Sequence, residues 1–324
     1  MILNLLFKSN GKIMKDHKFL LYGVHFFVVC FIFFLMYVIG SILGVFSIYV
    51  FQSVWILNIT NSFFIFGTVI SILDFLVSAI FSEKKKSLMF APVSNPQISV
   101  GLTAYNDDLS IGFAVKDFLS QKNVAKVIVV DNNSVDRTTE EGLKAGAEVV
   151  GESIQGYGAC CIRALKEAMK FGNIVCLVEG DCTFSGSDLK KLIAYIENAD
   201  MVIGTRTTKE LNTPDSQLNF FIQWGNVFMA KLLQTRFWNV RLTDLGCTFR
   251  LIRKEALEKI IDQLKVEGNH FSCEMLLVAL KNNLMIIEIP VTLKRRVGIS
   301  KGVGGNFFKA AITALNMWRL IMFK

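Results

Sequence analysis

Histidine is scarce in this chain, with three among 324 residues. His17 and His25 fall in or beside a long apolar stretch, which leaves His270 alone. A single histidine beside a helix start reads as structural, so no histidine-rich metal centre and no histidine base is expected. Cys-x-x-Cys pairs are also absent. The seven cysteines (Cys30, Cys160, Cys161, Cys176, Cys182, Cys247 and Cys273) are odd in number. They argue against a disulfide framework and a zinc site and suit a reduced, cytosolic domain. There is no internal repeat and no low-complexity tract, so solenoids and disordered arrays are set aside.

Charge is missing over a long stretch: between Lys18 and Asp74 there is no Asp, Glu, Lys or Arg. The run is too long for one membrane span of about 20 residues and suits two spans with a tight turn. The more polar stretch from Gln52 to Ser62 predicts the turn, and helices are predicted over 19–46 and 58–81. A signal peptide is rejected, because the apolar run far exceeds an h-region and no small-residue cleavage site precedes the second helix. Lys8, Lys12, Lys15 and Lys18 flank the first helix, and Lys84, Lys85 and Lys86 follow the second. Both ends of the hairpin are therefore predicted to be cytoplasmic.

The expected organisation is a cytosolic N-terminal segment (1–18), a two-helix transmembrane hairpin (19–86), a linker with Pro92 and Pro96 (87–97), a cytosolic domain (98–303) and an amphipathic membrane-surface helix (304–324). Asp74 lies inside the second span and is expected to reach water or a partner helix. Asn58-Ile-Thr60 matches a glycosylation sequon, but a turn so short lies against the bilayer. The net charge of +8 collects beside the spans and toward the C-terminus. That placement points to an anionic lipid surface and not to nucleic acid.

From Ile98 onward apolar strands alternate with amphipathic helices. Strands are predicted at 98–104, 126–131, 147–150, 174–179, 200–204, 285–289 and 291–295. Helices are predicted around 108–121, 135–145, 157–171, 189–197, 216–237, 253–262 and 271–282. Continuous apolar strands separated by helices specify an α/β fold with a mostly parallel sheet covered on both faces.

The chemistry collects at strand ends. Leu177-Val-Glu-Gly-Asp181 runs an apolar strand into Glu179 and Asp181. Alternate strand residues share a face, so the two carboxylates can hold a divalent cation at the mouth of the sheet, and through it a nucleotide diphosphate. Thr103-Ala-Tyr-Asn-Asp-Asp108 ends the first strand where a helix begins. Thr103, Tyr105, Asn106 and Asp107 there offer polar side chains and backbone N–H groups to a nucleotide. Asp131 ends the second strand, where a carboxylate can accept from a base N–H, and Asn133 follows it. Gly156 and Gly158 precede a helix and permit close approach to a phosphate. Arg206 puts a cation at the end of the next strand.

The order and spacing of these segments resemble the inverting family-2 glycosyltransferases with a GT-A, Rossmann-like fold. Within them the chain is most similar to the dolichyl-phosphate mannose/glucose synthase group, over about residues 97–303. The resemblance implies that the first-strand motif and Asp131 bind the nucleoside. It also implies that Glu179-Gly-Asp181 stands for the Asp-x-Asp metal motif, with Mg²⁺ or Mn²⁺ as cofactor. Thr243-Asp-Leu-Gly-Cys-Thr-Phe-Arg250 resembles the Asp-x-x-Ser-Gly-Phe-Arg segment. Phe271-Ser-Cys-Glu274 with Glu288-Ile-Pro290 resembles a Glu-bearing helix and the next strand. Arg295-Arg296 with Gly298-Ile-Ser-Lys301 resembles a loop implicated in phosphate binding. The chain departs from the pattern at Glu179 (first Asp), Asn132 (second Asp), Thr103 (usual Pro) and Gly246-Cys247-Thr248.

The implied activity moves one sugar from a nucleotide-diphosphate sugar to dolichyl or polyprenyl monophosphate, with inversion, on the cytoplasmic face. Such an acceptor is already ionised at neutral pH, so no strong general base is needed. Asp181, Arg206 and Arg250 are the predicted catalytic residues. Arg206, Arg250, Arg295, Arg296, Ser300 and Lys301 are the predicted lipid-phosphate contacts. A UDP-sugar is preferred over GDP-mannose, and a homo-oligomer is compatible with the organisation. One alternative is a membrane glycosyltransferase with a saccharide acceptor, which usually carries a Gln-x-x-Arg-Trp motif and more spans. Another is a non-catalytic nucleotide-sugar-binding membrane scaffold.

Overall fold

The computed structural model describes residues 16–45, 54–80, 89–216, 220–238, 240–298 and 307–324. They form two compact units, one of residues 16–80 with Thr235–Trp238 and one of residues 89–234 with 240–324.

The smaller unit is built on α1 (Lys18–Val45) and α2 (Val54–Ile80), each long and apolar enough to cross a membrane. The second helix begins inside the stretch predicted as the turn. Its polar residues do not break it, because Thr60 Oγ1 donates to Ile56 O at 2.8 Å and Ser62 Oγ to Asn58 O at 2.9 Å. A hydroxyl satisfied one turn back leaves the helix intact. Asn58 is thus helical; Gln52 and Ser53 lie outside the described residues. The helices meet through small residues: a Cβ on Gly23 would stand 2.2 Å from Ser71 Oγ and 3.1 Å from Gly67 O. Phe31, Phe64, Phe66 and Phe75 face outward. Asp74 is buried and pairs with His17, Nδ1 to Oδ2 at 2.7 Å, as expected for a carboxylate that finds a partner. Arg236, wholly buried, forks Asp16 through Nε and Nη2 at 2.7 Å each.

In the larger unit, β1 (Ile98–Ala104), β2 (Val124–Asp131), β3 (Glu148–Gly151), β4 (Ile174–Glu179), β5 (Met201–Thr205), β6 (Arg250–Arg253) and β7 (Ile286–Pro290) form one sheet. Among the described residues its order is β3-β2-β1-β4-β6-β5-β7. All neighbours pair parallel except β6, which runs antiparallel to both β4 and β5. Helices α3 (Ile111–Leu119), α4 (Thr138–Lys144), α5 (Tyr157–Ala168), α6 (Leu189–Ile193), α7 (Phe220–Arg236), α8 (Lys254–Ile260), α9 (Phe271–Lys281) and α10 (Phe307–Phe323) connect or follow the strands. β1 is buried throughout, and α3 buries Ile111, Ala114, Val115 and Phe118, one face at helical spacing. Phe118 meets Phe249 edge-on at 5.9 Å between ring centroids, and Phe184 completes the cluster at 5.5 Å from Phe249.

Two expectations are corrected. β6 is a strand that periodicity did not predict, because Arg-Leu-Ile-Arg is short and polar at both ends. The predicted strand at 291–295 is irregular, with only an isolated bridge between Leu293 and Asn212. Its polar groups pair elsewhere: Thr292 N donates to Asp188 Oδ2 at 2.6 Å, Lys294 N to Thr183 O at 2.8 Å, and Val297 N to Asp181 O at 3.1 Å. The C-terminal helix is amphipathic as expected, yet part of its apolar face serves the domain core. Met317, Ile321 and Met322 are buried, Cys273 Sγ donates to Met317 O, and Lys324 pairs with Glu274 of α9. Phe308, Ile312, Leu315 and Phe323 remain on the outside.

Candidate active site

Parallel pairing brings the ends of β1, β2 and β4 level. Thr103 stands opposite both Val130 and Glu179, and Ala104 stands opposite Asp131. The predicted nucleoside and metal residues therefore share one sheet edge.

At the end of β1, the backbone N–H groups expected to meet a nucleotide already have acceptors. Tyr105 N donates to Asp107 Oδ2 at 3.0 Å and Asn106 N to Ser134 Oγ at 2.8 Å. Asp107 N donates to Thr138 Oγ1 at 2.8 Å and Asp108 N to Asp136 Oδ2 at 3.2 Å. In return Asn106 Oδ1 accepts from Val135 N at 2.8 Å. These bonds lock the β1 loop to the β2 loop, so the residues shape the edge through position and side chains instead of through free amides. Thr103 is buried, and its carbonyl accepts from Gly180 N at 3.0 Å.

Asp131 accepts from Ser134 N at 3.0 Å and from Thr139 Oγ1 at 2.6 Å, one bond per carboxylate oxygen, so each oxygen keeps acceptor capacity. Asn132 was missed as a site residue. Its amide nitrogen donates to Glu152 O and Ile154 O at 3.0 and 2.8 Å, and its oxygen accepts from Gly156 N at 2.9 Å. An aspartate could not make the two donor bonds. Asn133 adds a bond to Ser153 O at 3.0 Å.

Gly158 permits a close approach, but to protein. A Cβ there would lie 2.1 Å from Val266 O and 2.9 Å from Gly268 O. The N–H groups of Gly158 and Ala159 both donate to Glu267 O, at 2.7 and 3.2 Å. The start of α5 is thus capped by the 266–268 backbone, and Gly156 beside it faces the same carbonyl. The phosphate-cradle reading of Gly156 and Gly158 is corrected on that ground.

Glu179 and Asp181 end β4 side by side. Burial first, then the charge of Asp181, push the Glu179 carboxyl up to about 7, while Arg296 and Arg206 pull against them. Asp181 is fully buried; its Oδ1 accepts from Thr183 N at 2.9 Å, and Cys182, between these two residues, adopts φ 63°. Its Oδ2 has no hydrogen-bond donor, although Arg296 Nη2 stands 3.1 Å away. Two adjacent carboxylates, one with an orphaned buried oxygen, are a hard-oxygen set that fits Mg²⁺ or Mn²⁺. Among the described residues no third His, Cys, Asp or Glu joins them. That suits an ion whose remaining ligands are water and phosphate. Tyr157, also missed, has a buried hydroxyl without a partner, and burial raises its phenol well above the usual range with Glu179 nearby.

Arg206 is held in a fork by Asp244: Nε to Oδ2 at 2.7 Å and Nη2 to Oδ1 at 2.8 Å, with Asp244 Oδ2 also accepting Arg206 N at 3.0 Å. Glu288 fixes this acid in turn, accepting from Thr243 N and Asp244 N at 2.8 and 2.9 Å. Asp244 and Glu288 were named in the motifs but not as site residues; the available signal was an acid in the Thr243–Arg250 motif able to pair with a strand-end arginine. Arg250 is corrected. It is 1% exposed, and its guanidinium is spent on Cys247 O, Ser272 O and Leu245 O. It braces the turn into β6 and meets no open edge. Arg295 is exposed and only 3.9 Å from Asp215, a surface pair. Ser300 and Lys301 lie outside the described residues.

A mixed, mostly parallel sheet with paired carboxylates at the carboxyl end of its fourth strand defines a GT-A fold. Residues 99–261 match Glycosyl transferase family 2, and the chain belongs to that family. It is 28% identical over 208 residues to the low-salt glycan biosynthesis hexosyltransferase Agl6 of Haloferax volcanii, covering 63% of this chain and 49% of that protein. The chain thus spans about half the length of that relative. It is also 28% identical over 207 residues to a dolichyl-phosphate hexose transferase of the same organism, covering 63% of this chain and 86% of the relative. Among solved structures, glucosyl-3-phosphoglycerate synthase from Mycobacterium tuberculosis, in complex with Mn²⁺, UDP-glucose and phosphoglyceric acid, superposes with a TM-score of 0.53. It shares 16% identity over 70% of this chain and 79% of that one, a likeness of fold.

Proposed function

We propose that this family-2 glycosyltransferase moves one sugar from a nucleotide-diphosphate donor to dolichyl or polyprenyl monophosphate, with inversion, yielding a lipid-phosphate-linked sugar for glycan assembly. The observation that carries this reading is the company Glu179 and Asp181 keep: a carboxylate pair with two guanidinium groups, Arg206 and Arg296, bearing on it. Carboxylates serve a cation and the donor diphosphate, and the basic groups serve a second anion. The dolichyl-phosphate hexose transferase relative and the two apolar helices support a lipid acceptor.

Glu179 and Asp181 would hold Mg²⁺ or Mn²⁺, which when bound supplies charge neutralisation for the leaving diphosphate. Arg206, fixed by Asp244 and Glu288, presents a positive charge that needs no reorganisation when the C1–oxygen bond breaks. Asn132 and Asn133 hold the 152–156 loop beside Asp131, shaping the nucleoside side of the edge. The acceptor phosphate oxygen attacks C1 opposite the leaving group; already ionised, it surrenders no proton. Loss of one charge contact costs about 3 kcal/mol of transition-state stabilisation, roughly two decades in rate. The domain lies on the cytoplasmic face, with α1 and α2 as two spans, and a UDP-sugar is the first donor to try.

The direct test incubates purified full-length protein with labelled UDP-glucose, UDP-N-acetylglucosamine or GDP-mannose, a polyprenyl phosphate, and Mg²⁺ or Mn²⁺. Label is expected in the lipid extract, attached with inverted anomeric configuration. No lipid-linked product with any donor refutes the reading.

A further inference from the structure

Two ionic groups at the site are buried without a hydrogen-bond partner, and they are opposite in sign: Asp181 Oδ2 and Arg296 Nε. They belong to one pair, with Arg296 Nη2 3.1 Å from Asp181 Oδ2 and the side chains 17% and 1% exposed. The contact is one of charge without the alignment of a hydrogen bond. A buried ion pair offsets its desolvation only when hydrogen bonds complete it on both sides, and this one is incomplete on both. An aspartate oxygen lacking a donor is a place for a cation; a guanidinium N–H lacking an acceptor is a place for an anion. The segment that carries Arg296 is pinned by its backbone, through Lys294 N to Thr183 O and Val297 N to Asp181 O. Arg296 can therefore exchange partners by side-chain rotation while its main chain stays in place.

We propose that Arg296 is a positioning residue that stands on Asp181 while the divalent cation is absent, and that the arriving cation hands its guanidinium over to a phosphate group. The inference rests on Glu179 and Asp181 being the cation carboxylates and adds that the second anion site is completed by filling the first. The physics is simple repulsion: a divalent ion on Asp181 expels a guanidinium that shares the same oxygen, and phosphate charge draws it across. By linkage, cation and phosphate then strengthen each other's binding.

The test uses the full-length protein in detergent. Mn²⁺ binding without nucleotide, read from the free-ion paramagnetic resonance signal, is expected to be roughly tenfold or more tighter in Arg296→Gln than in wild type. Arg296→Lys keeps the charge and is expected to stay near wild type, which guards against a folding defect in the glutamine variant. Lys190→Gln, at an exposed lysine, is expected to change affinity by less than about twofold. With Mn²⁺ saturating, UDP and a short polyprenyl phosphate are titrated separately. Arg296→Gln is expected to weaken one of them by roughly tenfold, and that one is the phosphate that receives the guanidinium. Equal or weaker Mn²⁺ binding in Arg296→Gln, with binding lost in Asp181→Asn, overturns this proposal and leaves the cation reading standing. Mn²⁺ binding that ignores Asp181→Asn overturns both, and unchanged affinity for both phosphates overturns the hand-over.

Discussion

Asp244→Asn probes the fully hydrogen-bonded ion pair of the site. The acid is 2% exposed at its side chain and its partner Arg206 17%, and together they make three charge-assisted bonds of 2.7 to 3.0 Å. Asp244 also accepts Gly246 N at 3.1 Å. Neutralising it leaves a buried guanidinium without its counter-charge, a change worth about 3–5 kcal/mol when nothing substitutes. The asparagine oxygen retains one acceptor, so a loss of about 3 kcal/mol in unfolding free energy is expected, read by urea denaturation in mild detergent. Turnover should fall as well, by roughly two decades, because Arg206 loses its fixed aim. The double variant Arg206→Met/Asp244→Asn separates the causes. Removing both partners should restore stability relative to Asp244→Asn while leaving activity low, giving a coupling of about 2 kcal/mol or more. A single variant within about 0.5 kcal/mol of wild type, or strictly additive effects, would refute the claim that this pair positions Arg206.

Arg250→Met should strip three buried carbonyls of their donor and lower stability by about 3 kcal/mol, while turnover per folded molecule stays within about threefold; a selective rate loss would return Arg250 to the reaction. Glu179 holds its proton up to about 7 in the folded, cation-free protein, against an ordinary 4.5. Its contribution is therefore complete below about pH 4.5 and is lost as the pH rises toward about 7. Glu179→Gln should flatten that window, as measured by unfolding midpoints in chelator at both ends of it. Gly158→Ala should lower Tm by several degrees, at a cost of about 2–3 kcal/mol, because the new methyl meets the 266–268 backbone; an unchanged Tm would contradict the packing of α5.

The apolar runs of β1, β2 and β4 declared a buried parallel sheet; the strand order, which periodicity does not give, then put Asp131 and Glu179 on either side of β1. The strand at Arg250–Arg253 was hidden because four residues with two arginines carry no period; only pairing between β4 and β5 makes them a strand. Gly158 announced a close approach in the sequence without saying to what. The amides at 106–108 looked free because the loop that consumes them lies some thirty residues away, at 134–138.

By itself the sequence determined the covalently local facts: two helices apolar enough for a bilayer, an alternating α/β chain, and carboxylates two apart on a strand. Those follow from periodicity, which neighbouring residues set among themselves. Only the tertiary structure decided which cations are free to act. Arg206, Arg250, Arg295 and Arg296 carry the same charge in the sequence, but one is forked by Asp244, one is consumed by three carbonyls, one stands in solvent and one rests on Asp181. Burial and partners separate them, because a charge acts through the groups that desolvate and aim it.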